Sequence, residues 1–330
     1  MLQTKDLAIV ILNWNGKALL EKFLPSVVKL SDDAVIYVAD NASTDNSVEY
    51  ISQHYPTVKL ICNTKNGGYA KGYNDALKHV KEPLLCLLNS DIEVTKNWLQ
   101  PIISAFNHEA NTAIIQPKIL DYNNKSYFEY AGAAGGFIDK YGYPYCRGRI
   151  FDTIEKDYGQ YNNSTTIFWA SGACFFIRNE VFKSLNGFDE TYFAHMEEID
   201  LCWSAFNSNY TTKYVGDSIV YHVGGATLSN TNAKKTYLNF RNSLYTLVKQ
   251  TDKHVLFRVL FKMVLDGIAG LRYLFQLKPT FFFAILKAHF SFYGNLPRLI
   301  KQRKQRPKRS GYYKTESIVW SYFVKKQKVF

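Results

Sequence analysis

Residues 84–91 read LLCLLNSD: five apolar positions, then an amide, a hydroxyl and a carboxylate with no transition between them. An unbroken apolar run of this length is the mark of a strand buried on both faces, as in a parallel sheet covered by helices. The carboxylate at its end, Asp91, therefore needs an explanation.

The chain around it repeats the pattern. Apolar, β-branched runs at LAIVILNW, AVIYVAD, TVKLICN, PLLCLLNSD and TAIIQPKIL alternate with helical stretches near residues 17–30, 46–55, 69–81 and 95–107. Strand and helix in turn, with connections of that length, predict right-handed crossovers and a largely parallel, helix-covered α/β sheet. Ligands of such sheets bind in the crevice beyond the carboxyl ends of the strands. Three of those ends are polar: DNASTDNS (Asp40 to Ser47), NTKNGGYAKGYN (Asn63 to Asn74) and NSDIEV. Any one of them is what an ordinary loop uses to turn the chain and cap a helix. Three at one edge of one sheet point to a binding site.

Between residues 121 and 168 the alternation gives way to Gly, Tyr and Asn-rich sequence, long enough for a lid or binding loop. Order returns with the strand-like FWASGACFFIR and a short helix NEVFKSLN, for which Gly187 is the expected C-cap. A helix beginning near MEEIDLCW and a strand TTKYVGDSIVYHVGG follow. After Thr231 the sequence is helical. These features divide the chain into a domain over 1–230 and a C-terminal helical region over 231–330.

At 330 residues, 47% hydrophobic and 21% charged, the chain is globular rather than disordered. Its net charge of +12 is unevenly spread: residues 251–330 hold 17 Lys and Arg against 3 Asp and Glu. The body is thus near neutral and the tail basic. In HVLFRVLFKMVLDGIAGLRYLFQL, Arg258, Lys262 and Asp266 form one narrow polar stripe on an otherwise apolar helix. No window reaches the ~18 apolar residues of a spanning helix. With RLIKQRKQRPKR behind it, the region predicts a helix lying in the interface of an anionic membrane; packing on the body or on a partner subunit is the alternative. Nucleic acid is not an expected partner, since the basic residues belong to no known module. The five dispersed cysteines suit buried thiols in a reducing compartment, and the N-terminus has no basic, signal-like segment, so a cytoplasmic location is expected.

Taken in order, VILNWNG, VADNASTDNS, NGGYAKGYN, LLNSDIEV, GACFFIRNEVF, GFDETYFAHMEEIDLCW and HVGGATL resemble the motif series of family 2 glycosyltransferases, and most of all its bacterial rhamnosyltransferase-like members. The resemblance covers residues 7 to 245. It implies a GT-A fold, a nucleotide-diphosphate sugar donor, a glycan or glycolipid acceptor, a divalent cation (Mn²⁺ or Mg²⁺) and inversion at the anomeric carbon.

By the same resemblance Asp91 is the metal-binding aspartate and His222 the second ligand. The family often has Asp-x-Asp where this chain has Asn89-Ser90-Asp91. Glu197 and Glu198 fall on the family's Glu-Asp pair, which puts Glu198 in the place of the catalytic base. The donor site is expected to comprise Asn13, Asn15, Asp40, Ser43, Asp45, Gly67, Gly68, Lys71, Asn74, Asn89 and Ser90. Trp169, Gly172 and Ala173 are expected to border the sugar pocket, and Arg241 with Asn242 to close over the diphosphate. Ser204 stands where relatives tend to carry Arg. The sequence therefore supports a glycosyltransferase first. An inactive GT-A-like binding module, suggested by the Asn-Ser-Asp and Glu198 departures, comes second. A glycoside hydrolase, which needs no nucleotide site, comes last.

Overall fold

The computed structural model describes residues 1–224 and 232–330. The boundary placed at 230/231 and the end of the HVGGATL motif lie outside the described residues.

The main sheet is built on β1 (Leu7–Asn13), β2 (Val35–Asp40), β3 (Lys59–Cys62) and β4 (Leu84–Asn89), paired parallel in the order β4-β1-β2-β3. Helices α1 (Lys17–Leu30), α2 (Ser47–His54) and α3 (Gly68–Leu77) make the crossovers. The sheet continues through β5 (Ile92–Val94), β6 (Thr112–Asp121), β11 (Thr165–Ile167), β12 (Cys174–Arg178) and β13 (Thr211–His222). It is mixed rather than largely parallel: β12 runs antiparallel between β4 and β6, while β11 and β5 pair antiparallel with β13. Residues 92–94, expected to lead into a helix, are drawn into strand pairing with β13, and the helix, α4, is confined to Gln100–His108.

The opening run behaves as its composition demands. Leu84, Cys86 and Leu88 enter one core with Leu20, Leu24, Ile102 and Phe106, and Leu85 and Leu87 enter another with Tyr73, Leu77 and Leu244. Both faces are covered, so alternation in the sequence is unnecessary. The register sets Asn13 beside Asp40, Leu12 beside Asn89 and Cys174 beside Leu88. The ends of β1, β2, β4 and β13 consequently share one edge of the sheet.

The stretch at 121–168 is not structureless. It holds a small antiparallel sheet of β7 (Gly136–Ile138), β8 (Pro144–Cys146), β9 (Arg149–Ile150) and β10 (Thr153–Ile154). After β12 come α5 (Asn179–Ser184) and α6 (Glu197–Asn207). Beyond β13 lie α7 (Ala233–Gln250), α8 (Val255–Phe275), α9 (Pro279–Lys304) and α10 (Ile318–Phe323). Leu244 and Leu247 of α7, together with Tyr312, Ile318 and Tyr322, belong to the same core as the sheet. The five cysteines are free thiols, all buried except Cys62.

Candidate active site

Asp91 and His222 meet at the sheet edge. The pairing of β5 with β13 fixes His222 opposite Ile92, next to Asp91, and the Asp91 carbonyl accepts the Val223 amide at 3.2 Å. Asp91 Oδ1 stands 3.2 Å from His222 Nε2, and both residues are about 95% buried, at 4% and 5% exposure. The Asn89 side-chain amide lies 3.5 Å from the same nitrogen. Glu129, from the loop after β6, faces the other ring nitrogen, with Oε1 3.3 Å from Nδ1. Burial alone would lower the imidazole pKa, but Glu129 and Asp91 outweigh it and push it up to about 10.

This pair can hold a divalent cation. Two cis ligands at bond lengths of about 2.0–2.2 Å stand roughly 3 Å apart, and Asp91 Oδ1 and His222 Nε2 already do. Binding requires that Nε2 release its proton. Among the described residues no group of three or more His, Cys, Asp or Glu is placed to hold a metal, so phosphate oxygens and water would complete the sphere. A mixed nitrogen and oxygen set favours Mn²⁺ over Mg²⁺.

Glu197 and Glu198 open α6 a short way along the same edge. Asn89 N donates to Ala173 O at 2.9 Å, and a Cβ added at the neighbouring Gly172 would stand 3.8 Å from the Glu198 carboxyl carbon and 3.2 Å from the Tyr69 hydroxyl. That hydroxyl donates to Gly172 O at 2.7 Å. Gly172 thus sits against Tyr69 and Glu198 at the start of β12, whose neighbour β4 ends at Asn89. Burial raises the Glu198 pKa to about 7 despite backbone hydrogen bonds that lower it. Burial and the Glu198 charge push Glu197 well up. Each carboxylate keeps one buried oxygen, Oε2, without a hydrogen-bond partner.

The loop leading into α6 is strained. Phe193, His195 and Met196 all have positive φ, at 64°, 69° and 72°. Asn242 holds it in place: Nδ2 donates to the carbonyls of Tyr192, Ala194 and His195 at 3.1, 3.0 and 2.7 Å. Gly68 belongs to the same arrangement, since its φ is +78° and a Cβ there would lie 2.4 Å from Phe193 O.

At the ends of β1 and β2, Asn13 Nδ2 donates to Asp40 Oδ1 at 3.1 Å and to Ser43 Oγ at 3.2 Å. Asp40 Oδ2 accepts the Ser43 amide at 2.9 Å, and the Asn15 amide donates to Ser43 Oγ at 2.9 Å. Asn13 Oδ1 is buried with no hydrogen-bond partner. A Cβ at Gly16 would stand 3.8 Å from Ser90 Oγ, which joins this cluster to the cation end.

The profile of Glycosyl transferase family 2 matches residues 8–185, more than half of the chain. The chain belongs to glycosyl transferase family 2. An N-acetylglucosaminyl-diphospho-decaprenol L-rhamnosyltransferase of Mycobacterium tuberculosis is 24% identical over 235 residues, covering 66% of this chain and 76% of that protein. Among solved structures, the mannosyltransferase PcManGT of Pyrobaculum calidifontis, in complex with GDP-Man and Mn²⁺, superposes with a TM-score of 0.53 at 11% identity over 87% of each chain. GalNAc-T7, solved with UDP, GalNAc and Mn²⁺, gives 0.54 at 20% identity over 66% of this chain; the chain spans only 42% of that longer structure. These likenesses establish an α/β, GT-A-like fold.

Within this family 2 glycosyltransferase, several residues expected at the donor site are engaged elsewhere. Asp45 accepts the Lys17 and Ser47 amides at 3.0 and 3.1 Å and so caps α1 and α2. Burial would raise its pKa, but these bonds and the Ser47 hydroxyl lower it. Lys71 pairs with Asp75 at 2.9 Å and with Glu190 at 3.5 Å. Asn74 clasps Phe188 through both of its polar atoms, at 2.8 and 2.9 Å. Trp169, expected to border the sugar pocket, is buried, donates Nε1–H to Phe137 O at 2.7 Å, and packs so closely that a Cβ at Gly136 would overlap it. Arg241, expected over the diphosphate, donates to Thr191 O and Tyr192 O at 2.9 and 3.2 Å. Asp200, third carboxylate of the motif, is tied to Lys249 at 2.8 Å. Gly67 is the N-cap of α3. At Ser204, where relatives tend to carry Arg, a guanidinium arrives from the tail: Arg306 Nη1 donates to Ser204 Oγ at 2.7 Å and lies 3.6 Å from Asp200.

Sequence reasoning missed Glu129, which sits in aperiodic sequence, and Trp14, half-exposed between Asn13 and Asn15. An exposed tryptophan in the ILNWNG strand end was the available signal for the latter.

Proposed function

We propose that this family 2 enzyme is an inverting glycosyltransferase that moves a sugar from a nucleotide-diphosphate donor to a hydroxyl of a lipid-linked or cell-surface glycan precursor. Thymidine-diphosphate rhamnose or a uridine-diphosphate hexose is the donor expected. The observation that carries this reading is the shared sheet edge: the 3.2 Å Asp91–His222 pair stands beyond β4 and β13, and Glu198, with one buried oxygen that has no partner, lies beside Gly172 at the start of β12.

Asp91 and His222 hold the diphosphate end of the donor through a cation. When bound, that cation supplies Lewis-acid stabilisation to the charge on the leaving diphosphate. Asn13 and Asp40 offer an acceptor and a carboxylate to the base and ribose. Glu198 takes the proton of the acceptor hydroxyl as its oxygen bonds to the anomeric carbon and the bond to the diphosphate breaks on the opposite face. A base whose pKa is near 7 is matched to that task.

The enzyme acts, in this reading, as a peripheral protein of the cytoplasmic membrane face. Among the described residues no helix is long and apolar enough to cross a membrane. The support is the surface of α8, where Leu256, Leu260, Val264, Ile268, Leu271 and Phe275 are each more than half exposed. The basic residues Arg272, Lys278 and Lys287 are exposed on the same pair of helices and the turn between them.

Calorimetric titration of uridine and thymidine diphosphates, with and without Mn²⁺, tests the donor site. Metal-dependent binding of one nucleotide, lost in Asp91→Ala, is expected. Binding of neither would favour an inactive relative and sink the proposal.

A further inference from the structure

His222 stands between two buried carboxylates, and only one of them can share a cation with it. The ring nitrogens of an imidazole point away from each other, so an ion on Nε2 is out of reach of a group facing Nδ1. The Nε2 side opens on the strand edge, where Asp91 Oδ1 lies at 3.2 Å and Asn89 at 3.5 Å. The Nδ1 side is closed. Glu129 is 4% exposed, its Oε2 accepts the Ala131 amide at 2.6 Å, and a Cβ at Gly224 would come within 3.1 Å of its Oε1. Its own amide donates to Ile119 O at 3.1 Å, and the Phe128 amide donates to Glu155 O at 3.1 Å. Glu129 is therefore held by the backbone on both sides, with Oε1 in an ion-pair contact 3.3 Å from His222 Nδ1, a nitrogen that has no other partner among the described residues and lies off the line of a hydrogen bond.

We propose that Glu129 is a positioning residue, which holds the proton of His222 on Nδ1 and thereby leaves the Nε2 lone pair directed to the cation that Asp91 shares. The inference rests on the reading of Asp91 and His222 as a cation-binding pair. A histidine ligand whose second nitrogen donates to a carboxylate has a fixed tautomer, a fixed ring plane and a more basic ligating nitrogen. The arrangement would supply a second acid to a site that has Asn89 in place of a carboxylate. The second acid is present, but it acts through the imidazole.

The test is titration of Mn²⁺ into the full chain with uridine diphosphate present, followed by calorimetry. Glu129→Ala should weaken Mn²⁺ binding about 10- to 100-fold, the range for loss of such a partner. Glu129→Gln, whose amide oxygen still accepts the Nδ1 proton, should lose clearly less. ¹⁵N-histidine spectra of the Mg²⁺-loaded protein should show one Nδ1-protonated His222 in the wild type and in Glu129→Gln, and a tautomer mixture in Glu129→Ala. Unchanged Mn²⁺ affinity and tautomer in Glu129→Ala, with binding lost in His222→Ala, would overturn the role of Glu129 and leave the site reading standing. Equal losses in the Gln and Ala variants would also overturn it, since charge and not tautomer would then matter. Binding unaffected in both Asp91→Ala and His222→Ala would overturn the site reading itself. If Glu129→Ala does not fold, the Gln spectrum decides: a mixture of tautomers there refutes the proposal.

Discussion

Glu198 is half-buried, desolvation holds its carboxyl up to about 7, and its charge state governs whether it can accept a proton. Desolvation disfavours the anion, so only about a tenth of the groups are ionised one pH unit below that value. We expect kcat/KM to rise about tenfold per pH unit up to roughly 7 and to level off above it, with the apparent value belonging to the Glu197–Glu198 pair. Glu198→Gln should bind the donor normally and abolish transfer; near-normal turnover would move the base elsewhere. Glu198→Asp restores the residue type of relatives but withdraws the carboxylate by about a bond length, and a shift on the order of 1 Å can cost about a hundredfold. At Gly68 the constraint is steric. Any side chain there meets Phe193 O at 2.4 Å in a left-handed conformation, so Gly68→Ala should lower both melting temperature and nucleotide affinity, by about 1–3 kcal/mol of strain. That Asp91, His222 and Glu198 lie at strand and helix ends was legible from the apolar period, while the roles expected of them rest on the order of the motif series. Glu129 was not, because nothing in FEYAGAAGG shows that its backbone is paired to Ile119 and faces β13.

Two elements, the entry loop of α6 and the helix α7, hold the acid end together. The loop carries three non-glycine residues at positive φ, and α7 keeps it there through one buried amide, Asn242. Asn242→Ala removes those donors and leaves the Ala194 and His195 carbonyls to find others, while Tyr192 O keeps Arg241. Its kcat should fall on the order of a hundredfold, because Glu198 follows the loop directly, and a full-length crystal structure should show residues 192–196 displaced. Lower down the same helix Lys249, fully buried, lies 2.7 Å from Asp189 and 2.8 Å from Asp200. Lys249→Met removes the buried ammonium that two carboxylates share and should cost about 3–5 kcal/mol in a urea unfolding experiment. The strands and crossover helices of the first part were readable from period alone. The mixed direction of β12, β11 and β5 was not, since period gives burial and says nothing of direction. The contacts of Arg241 and Asn242 were not readable for a similar reason: their partners are carbonyls some 50 residues away in sequence.

Across the whole molecule the arrangement of α8 is inverted relative to an ordinary surface helix. Its polar stripe is buried: Arg258 donates to Asp252 and Tyr312 at 2.9 and 2.8 Å, Lys262 lies 3.5 Å from Asp266 and 3.6 Å from the centre of the Tyr143 ring, and Tyr143 donates to Asp266 at 2.9 Å. The partners come from the small sheet and from the tail, so the stripe that looks like a solvated face in sequence serves as the attachment to the body. The apolar face is left outward. Exposing it to water forfeits the burial that each large aliphatic side chain would gain, about 1.5–3 kcal/mol, whereas a lipid interface returns it. Basic residues on the same helices add roughly 1 kcal/mol each near an anionic surface. The full chain should therefore sediment with vesicles rich in phosphatidylglycerol and much less with phosphatidylcholine vesicles. Leu260→Glu with Val264→Glu should abolish that binding while Mn²⁺-dependent nucleotide affinity is kept, because neither side chain faces the core that holds the site. If the double variant sediments as the wild type does, the apolar face is not the contact. If it loses vesicle binding only together with a change from a larger to a smaller species in solution, the face is an interface between copies of this chain.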